Sequence, residues 1–225
     1  MHIEPGVVDG AKIALSYATA AGATAYSAKL VWTDLVDRGV VSLAARSIMA
    51  TIAVFVFFEI LPHFSAGVSE VHFILGTTLL LILGAAPAAI GLAGGLLLQG
   101  LLFAPIDLPQ FGMNLTTLLV PMFGLHYMAN RIIAPGTAYV DLSYTQTLKL
   151  SAAYQGGIVA WVAFWAVYGQ GFGAETLASI AAFGAAYAAV LIIEPIADLA
   201  VLAGAKALKG KLGTPWVTPR LYNAA

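Results

Sequence analysis

The chain opens Met1-His2-Ile3, and its first two residues carry three nitrogens on a short covalent path: the Met1 α-amine, the His2 backbone nitrogen and the His2 imidazole. Closing on one cation, they form two small chelate rings. Such a planar nitrogen set suits Ni(II), Cu(II) or a related divalent ion, and leaves room for a further neutral imidazole. An α-amine has an ordinary pKa of about 7.7–8.0, so binding must displace its proton, and amide coordination needs a second deprotonation. The same two residues also read as the start of a polar tail with an ordinary histidine. Ile3, Pro5, Gly6, Val7 and Val8 make a mostly apolar, turn-prone opening that can tuck between helices. Residues 1–10 lack the basic and apolar regions of a signal peptide, so a free amine at Met1 is expected.

A second group of chemistry-bearing residues lies around Leu61–Gly76, where Glu59, His63, Ser69, Glu70 and His72 crowd one region. Ionisable groups at membrane depth are functional candidates by default, although His72 also reads as an interfacial or capping histidine. Glu59 and His63 share a helix face by their i,i+4 spacing, which fits a supporting role behind a metal ligand or a plain pair. Gln99, Asn114, His126 and Asn130 are expected to make interhelical hydrogen bonds. Glu194 and Asp198 form an i,i+4 acidic pair expected to face the cytoplasm. The Gly204–Lys211 stretch lacks the spacing and the Ser or Thr of a phosphate loop, so no nucleotide site is encoded. Cysteine is absent, which removes thiolate sites and leaves His, carboxylate and backbone atoms as ligands.

The elements that must position these groups are membrane helices. Hydrophobic residues make up 60% of the chain and charged residues 9%, far from the roughly 25% charged usage of a soluble domain. Residues 71–106, 108–130, 150–174 and 176–193 contain no Asp, Glu, Lys or Arg. Each is long enough to demand a membrane reading. The pattern predicts an all-α, polytopic integral membrane protein with about seven transmembrane helices in one bundle, near 11–31, 42–62, 72–86, 88–104, 113–131, 147–169 and 175–205. The run 71–106 is too long for one crossing, and a hairpin is expected to break it at Ala85-Ala86-Pro87. Lys29, Arg38, Arg46, Arg131, Lys149, Lys206, Lys209, Lys211 and Arg220 all fall on one side of this topology. The positive-inside rule makes that side cytoplasmic, with the N-terminus outside and the C-terminus inside. Residues 1–205 are expected to form one transmembrane metal-capture domain with an N-terminal ligand segment over 1–10, and 206–225 a short cytoplasmic tail. A net charge of -1 gives no reason to expect nucleic acid as a partner. Dense small residues, as in Gly91-Leu-Ala-Gly94-Gly95, suit close helix contact.

Met1-His2-Ile3 with Gly6, Gly67-Val-Ser-Glu-Val-His72, Leu75-Gly76, Gln99-Gly-Leu-Leu-Phe103 and Gly112-Met-Asn114 together resemble the CbiM/NikM family over most of the chain, through about residue 200. These are the substrate-capture (S) components of energy-coupling factor importers for cobalt and nickel. The resemblance implies metal ligands at Met1, His2 and His72, with Ser69, Glu70, Glu59 and Asn114 as supporting residues. The Gly67-to-His72 stretch is one residue longer than the commonest family form, which keeps His63 as the fallback ligand. It also implies Co(II) or Ni(II) as the transported substrate, no organic cofactor, and residence as a multi-pass protein of the bacterial cell (inner) membrane. Expected partners are a transmembrane coupling subunit of the CbiQ/NikQ kind, ABC ATPases of the CbiO/NikO kind and a small accessory membrane protein. The chain itself is then no enzyme, ATP hydrolysis belonging to its partners. Two rivals remain: a haem or redox subunit with His72 and His126 as axial ligands, and an intramembrane hydrolase using Ser69, which lacks the second glycine of a nucleophile elbow.

Overall fold

The computed structural model describes residues 2–213 and 215–223, apart from the Asn130 side chain. Its first helix, α1, is recorded over Ile13–Phe55, whose 43 residues would reach about 65 Å if straight. The hydrocarbon core is only about 30 Å thick. The helix breaks at Gly39, whose φ of 79° and ψ of 163° are open to a residue without a Cβ. Both arms meet the outer layer: Tyr17 donates to Pro109 O, and Phe58, in the π turn Val56–Ile60 after the second arm, receives Gln99 Nε2. The expected spans 11–31 and 42–62 are therefore two arms of a helical hairpin, with the first arm running on almost to Gly39.

After the hairpin come β1 (Phe64–Ala66) and β2 (Ser69–Val71), paired antiparallel with Ser65 opposite Glu70. The sequence reading contained no strands. The turn between them needs Gly67, at φ +61°, where a Cβ would lie 2.0 Å from the Ser179 carbonyl oxygen of the last long helix. Next are α2 (Gly76–Leu83), α3 (Ala85–Leu102), α4 (Phe111–Ile132), α5 (Tyr144–Gln170) and α6 (Ala174–Ala207). Among the described residues, four helical stretches, the first of them the whole Gly10–Ile60 run, are long and apolar enough to cross a membrane. Close contact of α1 and α3 depends on small residues, since a Cβ on Gly91 would sit 2.3 Å from that of Ala50.

The expected span 72–86 is not a regular helix. Residues 72–75 are not helical, and Leu75 takes a left-handed φ of 53° before the eight-residue α2 begins. The break before α3 falls at Gly84, one residue ahead of the expected site, and Pro87 occupies the first turn of α3. Non-helical backbone at membrane depth survives only where protein satisfies it. Here Glu194 does so: its Oε1 accepts from Ile74 N at 2.5 Å and Leu75 N at 3.0 Å, and Oε2 accepts from Gln155, which Tyr187 holds in turn. Asp198 accepts from Thr78 Oγ1 at 2.5 Å. Glu194 and Asp198 therefore do not face the cytoplasm as expected; both are completely buried. The irregular crossing offers them backbone and hydroxyl donors that a continuous helix would have kept internal.

At the opposite end Arg46 is also fully buried, its guanidinium forked onto Asp34 and donating to Leu83 O at 2.7 Å. The chain's end packs over this region, with Thr218 N donating to Ile82 O and Tyr222 to Ala205 O. Replacing Glu194 tests the account of the broken crossing. Glu194→Ala strands two buried amides, each costing about 1–3 kcal/mol, and is expected to lower the thermal midpoint in detergent clearly more than Glu194→Gln, which keeps an acceptor.

Candidate metal centre

Residues 2–4 lie along the outer hairpin. Ile3 forms an antiparallel bridge with Ser69, Glu70 N donates to His2 O at 2.9 Å, and Glu4 N donates to Val68 O at 3.1 Å. Ser69 Oγ adds a second bond to His2 O at 2.8 Å, and Ile3 N donates to Asn114 Oδ1 of α4 at 2.8 Å. Asn114 and Gln99 thus bind the N-terminal segment, where interhelical bonds were expected. Ile3, Val7 and Val8 are buried, and the segment passes α5 at Gly169, where a Cβ would fall 1.9 Å from Val7 O. His2 is 2% exposed, so it is no tail residue. Met1 lies outside the described residues.

His2 and His72 face each other, with ring centroids 5.7 Å apart and His72 entirely buried. One ligand atom from each of His2, Glu70 and His72 can be chosen so that all three lie within 4.8 Å of one another. Each imidazole has one nitrogen engaged. His2 Nε2 meets Gln99 Oε1 at 2.5 Å, and His72 Nε2 meets Glu70 Oε2 at 2.9 Å. Both partners are acceptors, since the Gln99 amide nitrogen is turned to Phe58 O and Glu59 Oε2. Each ring must then carry its proton on Nε2, leaving a lone pair on Nδ1. Both Nδ1 atoms are buried without a hydrogen-bond partner among the described residues. Unpaired buried acceptors are costly, so the two free lone pairs mark His2 and His72 as candidates for holding a cation.

The electrostatics point the same way. The bond to His72 holds the Glu70 carboxyl down at about 2 against the effect of burial. The Glu70 carboxylate orients the His72 ring from behind through Nε2. His63 stacks on His72 at 4.9 Å and donates Nδ1 to Leu61 O, outside the three-residue group. Glu59 stands behind Gln99 at 3.4 Å. His126 lines a separate cavity of about 170 Å³ with Lys29, Asp34, Asp37 and Arg38, so it shares no site with His72 and a haem between them has no place. Asp107, in the 3₁₀ turn Pro105–Gln110, was absent from the sequence reading, yet its Oδ2 lies 3.1 Å from His2 Nδ1. The only signal for it was a lone acid in an otherwise apolar outer loop.

A largely helical, multi-pass membrane architecture holds a buried histidine pair under an outer strand hairpin, and that pair could bind a metal ion. The family described as the cobalt uptake substrate-specific transmembrane region, CbiM, matches residues 2–212, and the chain belongs to that family. It is thus a substrate-binding membrane component of metal uptake, as the sequence resemblance implied. No curated protein and no solved structure matches the chain.

Removing either of the groups that engage the Nε2 atoms should weaken metal binding without unfolding the bundle. Gln99→Leu and Glu70→Ala are each expected to cost about 10–100-fold in affinity, read by metal titration of purified protein with its native start. Gly169→Ala, which pushes on the Val7 carbonyl, should lower affinity by displacing the ligand segment.

Proposed function

We propose that the chain is the substrate-capture (S) component of an energy-coupling factor ABC importer, taking Co(II) or Ni(II) from outside. The ligands in this reading are the Met1 amine, the His2 backbone nitrogen and Nδ1, and His72 Nδ1. The observation that carries it is the matched pair of orphaned Nδ1 atoms, each fixed by an acceptor on its own Nε2. His2 Nδ1 is also the imidazole atom that closes a six-membered ring with its own backbone nitrogen. His63, stacked behind His72, serves as packing and not as the fourth ligand.

Nickel as an alternative cargo follows from the donor chemistry, because a planar nitrogen set binds Ni(II) more strongly than Co(II) and Cu(II) more strongly still. Selection then rests on cavity shape and metal supply. No organic cofactor is needed. Energy for transport comes from partners, a CbiQ/NikQ-like coupling subunit with CbiO/NikO-like ATPases and a small accessory membrane protein, docked in the bacterial inner membrane. Residues 1–205 act as the single capture domain, and 206–225 form its cytoplasmic end.

The deciding experiment compares Co(II) and Ni(II) binding by protein with its native start and protein carrying an N-terminal extension. Blocking the amine is expected to abolish tight binding while circular dichroism stays unchanged; equal binding by both forms would overturn the assignment. His72→Ala should also lose tight binding, and unaltered affinity would remove His72 from the site. Because the amine and the amide each release a proton, affinity should fall by about two decades per pH unit just below an amine pKa of about 7.7–8.0, and by about one decade above it.

A further inference from the structure

The contact between His2 and Asp107 has no explanation in a nitrogen-only site. Gln99 Oε1 takes the proton on His2 Nε2, so Nδ1 presents a lone pair. Asp107 Oδ2 stands 3.1 Å from that lone pair, its residue 9% exposed, and Nδ1 still forms no hydrogen bond. Two acceptors held this close in a buried place repel one another unless a cation joins them. The spacing is that of neighbouring ligands. Two donors about 2.1 Å from one ion and at right angles lie about 3.0 Å apart, close to the 3.1 Å between His2 Nδ1 and Asp107 Oδ2.

Resting on the reading of Met1, His2 and His72 as metal ligands, the geometry points to Asp107 as an oxygen ligand of the captured cation and as the residue that sets its metal preference. Were the four nitrogens of that reading to hold the cation in one plane, the Asp107 carboxylate beside His2 Nδ1 would meet it from outside that plane. Axial oxygen is of little use to Ni(II) or Cu(II) in a square of nitrogens. It stabilises Co(II), which takes higher coordination with mixed nitrogen and oxygen donors, and so offsets part of the order that favours the later metals. Asp107 sits in the short outer turn between α3 and α4, and its side chain, 11% exposed, keeps a narrow contact with the outside. A hydrated cation arriving there exchanges a water for this carboxylate before reaching the nitrogens.

The test uses full-length protein with its native start and titrates Co(II) and Ni(II) into wild type, Asp107→Asn and Asp107→Glu, recording the visible spectrum of the Co(II) form. Asp107→Asn is expected to lose about tenfold or more in Co(II) affinity, with a shifted Co(II) spectrum, while Ni(II) affinity hardly changes; Asp107→Glu should recover part of the Co(II) affinity. Equal losses for both metals would make Asp107 a merely structural residue and overturn the inference. So would an unchanged Co(II) affinity and spectrum. Wild type that binds neither metal would instead sink the capture reading itself, whatever the variants do.

Discussion

The placement of His2 follows from one constraint, the pairing of residues 2–4 with the edge of the outer hairpin. His2 O accepts from Glu70 N and from the Ser69 hydroxyl, and Glu4 N donates to Val68 O, so the hairpin holds the backbone on both sides of Ile3. With the His2 carbonyl spent on the hairpin, its imidazole is left to the interior, where Gln99 fixes the ring. The same strand carries Glu70 and leads directly to His72, so one three-residue segment, β2, sets both halves of the donor set. A chelate built on the chain's own start needs this anchoring, because a free terminus would have to surrender its conformational entropy at the moment of binding.

The anchor has a consequence inside the bilayer. To bring His72 to full burial, the chain must run without helix over 72–75 and accept a left-handed Leu75 before α2 starts. Two amides are then exposed at membrane depth, and one carboxylate, Glu194, closes both. Glu194 is itself held by Gln155, and Gln155 by Tyr187, so α5 and α6 are tied to the non-helical segment that begins at His72. The polar groups buried in these two helices are therefore the counterpart of an irregular crossing, not a hydrophilic surface.

Much of this was legible in the sequence, and for physical reasons. Long charge-free runs identify helices because a bilayer tolerates few alternatives, and the one-sided basic residues orient them. Met1-His2 announces a chelate because its donors are covalently adjacent, and His72 and Asn114 came from the family resemblance. What the sequence hid is tertiary. The strands of the outer hairpin have only three residues each, too short for a period to show. Glu194 and Asp198 follow the apolar stretch of the last span, where an interfacial reading is natural until the non-helical segment that needs them is seen. Gln99 and Asn114 were read as helix-to-helix partners because nothing local shows that a strand from the far N-terminus would come between. Asp107 looks like any loop acid until its distance to His2 is measured.

Charge decides how such a site can hold a divalent ion at all. His2 and His72 are almost wholly buried, and an uncompensated double charge there would be prohibitive. Neutral imidazoles and an amine contribute lone pairs but no negative charge. In the proposed site the deprotonated His2 amide supplies one, which leaves a single positive charge among apolar residues. Glu70, kept ionised by its bond to His72, lies behind one ligand, and Asp107 lies beside the other. With Glu70 and Asp107 both ionised, the proposed site more than offsets the charge of a divalent ion. A cation with one charge fewer would be over-compensated further, and one with no affinity for nitrogen would not repay the loss of its water. In the proposed site, charge compensation acts together with the nitrogen donors in holding a divalent transition metal.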